Sequence, residues 1–257
     1  MKNILIIGES CTDIFEYGSC TRLNPEAPSP VFESSRVVKS HGMASNVLNN
    51  MKSLIDENSI QVCSEISDPD LIIKHRFVDQ PSNYILLRVD KDGPISKIDL
   101  TNAKLLDKIR SADAVIVSDY NKGFLSESDL VEISKLAKLS FIDTKKPIGS
   151  WINRFSYVKI NKKEFENPAN DLETLSLISN RLIVTLGENG ARLEQVLVPP
   201  TAKIKVKDVS GAGDTFLAAL VIKYIESNSI FKAIHYANHC SAIAVSNSGV
   251  VAVGHLI

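Results

Sequence analysis

Eight residues in the last quarter of the chain carry its most explicit chemistry: Asp208-Val209-Ser210-Gly211-Ala212-Gly213-Asp214-Thr215, followed at once by the apolar run Phe216 to Ile222. Two glycines about one alanine let backbone amides crowd a small anion. The apolar run behind them predicts a buried helix, and a helix N-terminus attracts phosphate through its unpaired N–H groups and its dipole. A carboxylate at Asp214 would repel that phosphate, unless its task is to take a proton from the group that attacks it. The combination points to phosphoryl transfer. Asp214 would be the general base, and the amides of Gly211, Ala212 and Gly213 the anion cradle. The same residues also fit an ordinary tight turn and first-turn acid, so the rest of the chain has to decide.

The elements that would hold these residues are readable from short apolar runs. Ile4 to Ile7, closed by Gly8, has the pattern of a central parallel strand, with Asp13 falling in the loop after it. Similar runs lie at Ala114 to Val117, Phe141 to Ile142, Tyr157 to Ile160 and Leu182 to Val184, separated by segments of helical spacing such as Leu130, Ile133, Leu136 and Ala137. The alternation predicts an α/β fold: a mostly parallel central sheet with helices on both faces. Val31 to Lys39 and Ile72 to Asp90 do not fit that series and predict a small antiparallel sheet acting as a lid, its strands drawn from about 14–40 and 72–92. Three prolines in Asn24-Pro25-Glu26-Ala27-Pro28-Ser29-Pro30 make a stiff, extended approach to it. The last third reads as two helices, Gly213 to about Glu226 and Ile230 to about Ser246. No internal repeat or linker interrupts 1–257, which reads as one domain.

Composition narrows the ligand class. Among 257 residues, 29 basic side chains face 30 acidic ones, so no charge excess points to nucleic acid or a membrane surface, and a small-molecule ligand is expected. Cys11, Cys20, Cys63 and Cys240 are scattered, with no C-x-x-C pair, as expected of reduced thiols in a cytoplasmic protein. No apolar run is long enough for a signal peptide core or a spanning helix. Gly8-Glu9-Ser10-Cys11 lacks a dinucleotide fingerprint, and no G-x-x-x-x-G-K-[ST] exists. His235 and His239 have i, i+4 spacing but no third ligand, so they read as helix packing.

Four motifs then agree on one family. Asp208, Gly211, Ala212, Gly213 and Asp214 match D-x-x-G-A-G-D; Asn161-Lys162-Lys163-Glu164 matches N-x-x-E; Thr185-Leu186-Gly187-Glu188-Asn189-Gly190 matches T-x-G-x-x-G; and Gly42-Met43-Ala44-Ser45-Asn46 is similar to a G-G-x-x-N turn. Taken singly, N-x-x-E is also a helix cap and T-x-G-x-x-G also a hairpin. In this order they resemble the ribokinase-like (PfkB) carbohydrate kinases over essentially the whole chain. Asn24 to Val31, Ser118-Asp119-Tyr120-Asn121-Lys122-Gly123 and Asp143-Thr144-Lys145 are similar to the branch that phosphorylates heptose 7-phosphate.

The resemblance implies an ATP-dependent sugar or sugar-phosphate kinase with the ribokinase-like fold. It implies Asp13, Gly42 and Asn46 on the sugar, and Thr185, Gly187, Gly190 and Asn238 along the nucleotide. Asn161 and Glu164 would order Mg²⁺ through water, and Asp208 would belong to a monovalent-cation loop for K⁺. Lys122, Lys145 and Arg88 are the cations available for a phosphate on the acceptor. A homodimer through the lid is expected. A kinase for another sugar or nucleoside, or a non-catalytic sensor of the same fold, is the alternative. The chain departs from the pattern at His41 and Met43, in a short stretch from Leu54 to Tyr84, and in lacking a closing helix after Gly254, so that one flank of the sheet is expected to be either uncovered or covered by another subunit. It also lacks the H-x-G-H of a nucleotidyltransferase.

Overall fold

Alternation within the first apolar run sets the layers of the molecule. Ile4 and Ile6 pack into one core with Val47, Met51, Phe216 to Ile222 and Ile234, while Leu5 and Ile7 pack into another with Leu105, Ile109, Leu130 and Ile133. A strand covered on both faces is apolar at every position, which is why this run was recognisable. The computed structural model describes residues 1–201 and 204–257.

The chain begins with strands β1 (Lys2–Gly8), β2 (Ser10–Leu23) and β3 (Pro30–Met43), helix α1 (Ala44–Leu54), then β4 (Ile60–Ile66), β5 (Ile72–Asp79) and β6 (Ile85–Asp92). Next come α2 (Ala103–Ser111), β7 (Ala114–Asp119), α3 (Glu127–Leu136), β8 (Ser140–Thr144), β9 (Tyr157–Asn161), α4 (Lys162–Phe165) and α5 (Leu172–Leu177). Strands β10 (Leu182–Thr185), β11 (Ala191–Leu193) and β12 (Val196–Val198) precede α6 (Ala212–Ser227) and α7 (Ile230–Val245). Among the described residues no helix is long and apolar enough to cross a membrane.

The main sheet has the order β12-β11-β10-β9-β8-β7-β1-β4, parallel from β4 through β10 and antiparallel in its last two pairings. Helices α1, α6 and α7 cover one face, and α2 and α3 the other. The second sheet has the order β3-β2-β5-β6. All parallel strands of the main sheet end on one side, where ligands of open α/β sheets bind, and the second sheet rises from that side through β2 and β3.

Three expectations are corrected. Asp13 lies within β2 rather than in a loop, because β3 and β5 pair with β2 on either side and satisfy its backbone whatever its side chains. The second sheet is not purely antiparallel, since β2 and β5 run parallel. The short stretch after Leu54 holds a strand that was not expected, β4, joined to the expected β5 by a single 3₁₀ turn at Pro69–Leu71. Strand β4 is an edge of the main sheet, with one neighbour, β1.

Candidate active site

Helix α6 begins at Gly211, whose φ of 77° is the left-handed conformation that glycine adopts without steric cost. No side chain caps this helix; Ala212 N–H bonds to Val209 O at 3.3 Å, and the amides of Gly213 and Asp214, with no partner among the described residues, remain for an outside acceptor. A Cβ at Gly213 would stand 3.0 Å from Lys159 Nζ, so the backbone here lies directly over a buried ammonium. Lys159 is bound at 2.6 Å to Asp143 Oδ2 at the ends of β9 and β8, and Asp143 Oδ1 is buried with no hydrogen-bond partner among the described residues. Free amides above an ammonium fit the phosphate chain of a nucleotide, and the orphaned oxygen beside them fits a hydrated divalent cation.

Asp214 is 3 % exposed in the first turn of α6. Tyr120 donates its hydroxyl to Oδ1 at 2.8 Å, and Asn46 donates its amide to Oδ2 at 3.0 Å. Asn50 donates to Asn46 Oδ1 at 2.9 Å, which fixes the Asn46 amide with its NH₂ toward the carboxylate. Burial raises the Asp214 pKa to about 6; the Asn46 and Tyr120 hydrogen bonds pull it down, Asp143 adds to the rise and Lys159 opposes it. A buried carboxylate poised between the ordinary acid range and neutrality is suited to take a proton from a hydroxyl.

Asp13 is held at Oδ1 by Arg76 at 2.5 Å, a buried pair between β2 and β5. Gly42 lies against the other oxygen: a Cβ there would fall 2.1 Å from Asp13 Oδ2 and 2.8 Å from Cys11 Sγ. Met43 follows with φ 58°, unusual for a residue with a side chain, and packs in a small core with Cys11 and Ile72. The turn thus sets Gly42 against Asp13, and brings Asn46, early in α1, against Gly211 and Asp214 at the head of α6. Gly42→Ala is expected to displace the Asp13 carboxylate and raise the acceptor KM about tenfold or more, leaving the ATP KM within about twofold, as steady-state kinetics would read. Beside Asn46 opens a cleft of about 460 Å³ whose lining includes His41, Lys52 and His255 and no acidic residue.

The remaining sequence candidates separate. Asn161 and Glu164 form a reciprocal capping box: Glu164 N donates to Asn161 Oδ1 at 2.9 Å, and Asn161 N donates to Glu164 Oε2 at 2.7 Å. Lys145 binds Glu164 Oε1, so both carboxylate oxygens are engaged within the protein. Thr185 ends β10, and Gly187 and Gly190 bound the turn after it. Asp208 accepts from Ser210 N at 2.8 Å and Gly249 N at 3.0 Å, tying the loop before α6 to the C-terminal tail. Asn238, expected along the nucleotide, is buried, and its amide donates to Val198 O at 2.9 Å and Pro199 O at 3.2 Å, fastening α7 to β12. Arg88 is paired with Asp90 and Lys122 with Asp92, as Lys145 is with Glu164, so none of the three is a spare cation.

Four residues at the site went unassigned in the sequence. Lys159 lies in a run read only as a strand, although a lysine between Val158 and Ile160 in a doubly covered strand is itself a signal, and Asp143 lies in a branch-like segment that gave it no role. Tyr120 is contained in a branch-like segment but points to no role until its hydroxyl is seen on Asp214. Glu9 is fully buried and meets its partners more than a hundred residues away.

Residues 99–254 match the pfkB family carbohydrate kinase profile. The bifunctional protein HldE of Helicobacter pylori strain J99 is 33 % identical across 97 % of this chain, which spans 64 % of that relative's length. The ribokinase of Thermotoga maritima superposes with a TM-score of 0.72 at 18 % identity, covering 97 % of this chain and 95 % of its own. Phosphofructokinase-2 from Escherichia coli, solved in complex with potassium, gives 0.72 at 15 % identity, covering 97 % and 94 %. An uncapped glycine turn over a buried lysine, a buried base at the head of α6 and these likenesses agree: the chain belongs to the pfkB family of carbohydrate kinases.

Proposed function

We propose that the protein transfers the γ-phosphoryl group of ATP to the anomeric hydroxyl of a heptose 7-phosphate. The observation that carries the phosphotransferase half is Asp214, a buried carboxylate with its pKa raised to about 6 at the head of a helix that no side chain caps. Likeness to HldE supports the heptose half, and so does the cleft beside Asn46, whose basic, acid-free lining suits an acceptor already carrying phosphate.

In this reading Asp13 and Asn46 hold acceptor hydroxyls, and Asp214 takes the proton of the attacking one. The free amides of Gly213 and Asp214 at the start of α6 and the Lys159 ammonium stabilise charge on the transferred phosphoryl oxygens. Thr185, Gly187 and Gly190 line the nucleotide. Magnesium, when bound, neutralises triphosphate charge; Asp143 through its free Oδ1, with Glu164 and Asn161, would hold its water shell. Asp208 belongs to the loop that would carry K⁺. A homodimer through the second sheet, acting as a lid, is supported by β6, an edge strand on which Ile85, Leu86, Leu87 and Val89 are all exposed. The reading puts the protein in the cytoplasm, with 1–257 as one kinase domain.

ADP release from Mg-ATP tests it, with D-glycero-D-manno-heptose 7-phosphate, the unphosphorylated heptose, fructose 6-phosphate, ribose and adenosine as acceptors. The heptose 7-phosphate should give the highest kcat/KM, and removal of its phosphate should cost at least about tenfold. Equal turnover of both heptoses, or preference for ribose or adenosine, would refute the assigned acceptor.

A further inference from the structure

One fully buried carboxylate has no part in the reaction just described. Glu9, at the end of β1, accepts backbone N–H groups from Tyr120 at 2.5 Å, Lys122 at 2.7 Å and Phe124 at 3.1 Å, all in the loop that follows β7. Asn121, in the middle of that loop, has φ 57°. A buried carboxylate without donors is costly, and charge-assisted hydrogen bonds are the strong kind. The loop therefore cannot move away without stranding Glu9.

What the clamped loop presents is the Tyr120 side chain. Its hydroxyl reaches Asp214 Oδ1 at 2.8 Å, while Lys74 of β5 lies 5.0 Å and Lys145 5.4 Å from the ring centroid. Lys74 has no carboxylate partner among the described residues, and it joins the ring to the second sheet. The hydroxyl, the loop and the carboxylate form one continuous chain from β1 to the head of α6.

We propose that Glu9 and Tyr120 are positioning residues for the base: Glu9 fixes the loop, and Tyr120 fixes Oδ1 of Asp214 so that Oδ2 receives the acceptor's proton. This rests on the reading of Asp214 as general base. Oδ2 is held in the free protein by the Asn46 amide, and the acceptor hydroxyl takes a place beside that neutral donor. Burial and the neighbouring Asp214 charge push the Tyr120 phenol well above its ordinary range, so it remains a donor at every working pH. The other groups facing Asp214 are Asn46 of α1, Asp143 of β8, Lys159 of β9, Lys145 of the loop after β8 and Cys11 of β2. None of them is altered by removal of one phenolic oxygen.

Tyr120→Phe keeps the ring and its contacts and deletes that donor. A carboxylate that loses a hydrogen bond to its charged form becomes a stronger base, so its titration moves about one pH unit higher. The test has two parts on the full chain. Carboxyl-carbon NMR titration of Asp214 without substrates should show that upward movement in Tyr120→Phe. With heptose 7-phosphate and Mg-ATP, kcat should fall about tenfold, its acid limb should move up, and both KM values should stay within about threefold. Glu9→Gln should change kcat and the limb in the same direction, and the double variant should be no worse than Tyr120→Phe alone, because both act through one bond. If Glu9→Gln does not fold, Glu9→Asp, which withdraws the charge by one methylene, takes its place with the same expectation. An unmoved Asp214 titration in Tyr120→Phe, or effects of the two variants that multiply, would overturn the proposal. Full activity of Asp214→Asn would instead sink the base assignment itself, a separate outcome.

Discussion

Asp214→Asn should fold, bind Mg-ATP and lose kcat by about 10²- to 10⁴-fold, the usual contribution of a general base. The amide is nearly isosteric and keeps one acceptor for the two donors that now meet the carboxylate, Tyr120 and Asn46. The phenol of Tyr120 can turn to accept from the new NH₂, so the loss falls on proton transfer rather than on packing. The wild-type pH profile follows from the same geometry. Burial lifts the Asp214 pKa to about 6, and the base works only when deprotonated, so kcat should be lost as pH falls through about 6. An ordinary aspartate would hold its activity to about pH 4. Isothermal titration with ATP separates binding from turnover in the variant. A loss under about tenfold, or a wild-type acid limb near 4, would show that the acceptor hydroxyl surrenders its proton elsewhere.

How much of this was visible in the sequence depended on whether the cause was local. The five central strands were legible because double-sided burial makes most positions apolar: Ile4 to Ile7 lies within Lys2–Gly8, and Ala114 to Val117 within Ala114–Asp119. The last two helices were legible to within about a residue, since Gly211 and the Asn228-Ser229 break bound them. Strand β2 was not, because Asp13, Glu16 and Arg22 conceal any apolar pattern and its two neighbours, not its side chains, hold it extended. Strand β4, with sequence Ile-Gln-Val-Cys-Ser-Glu-Ile, is half-polar for a related reason: it is an edge. At the site, linear motifs pointed to Asp214, Gly42 and Asn46, whose side chains or backbone the fold gathers near the head of α6 and β2. They could not bring out Glu9, whose meaning lies in amides contributed from 120 to 124. Nor could they show that the Asn238 amide serves two backbone carbonyls in the interior.

Lys159→Met should be the most destabilising of the substitutions at this site, and its effect on activity should be separable from that loss. Lys159 and Asp143 are 3 % and 4 % exposed and are bound at 2.6 Å. Removal of the ammonium leaves a carboxylate in the interior without its hydrogen-bonded counter-charge, with Lys145 the remaining cation that it feels, a change that costs roughly 3–5 kcal/mol, which urea denaturation would register as a large fall in midpoint at unchanged slope. Removal of both charges has a different consequence. The desolvation of a buried pair is itself expensive, so Lys159→Met/Asp143→Val, with an apolar residue suited to each strand, should regain most of the lost stability. Catalysis should not return with it. The ammonium lies 3.0 Å from the position that a Cβ on residue 213 would occupy, directly beneath the cradle, and no other described cation approaches that glycine. The double variant should therefore be stable yet slower in kcat by about 10² or more, because the charge that develops on the phosphoryl oxygens has lost its preorganised partner. If stability and turnover recover together, the pair is a structural strut and the anion cradle consists of backbone alone.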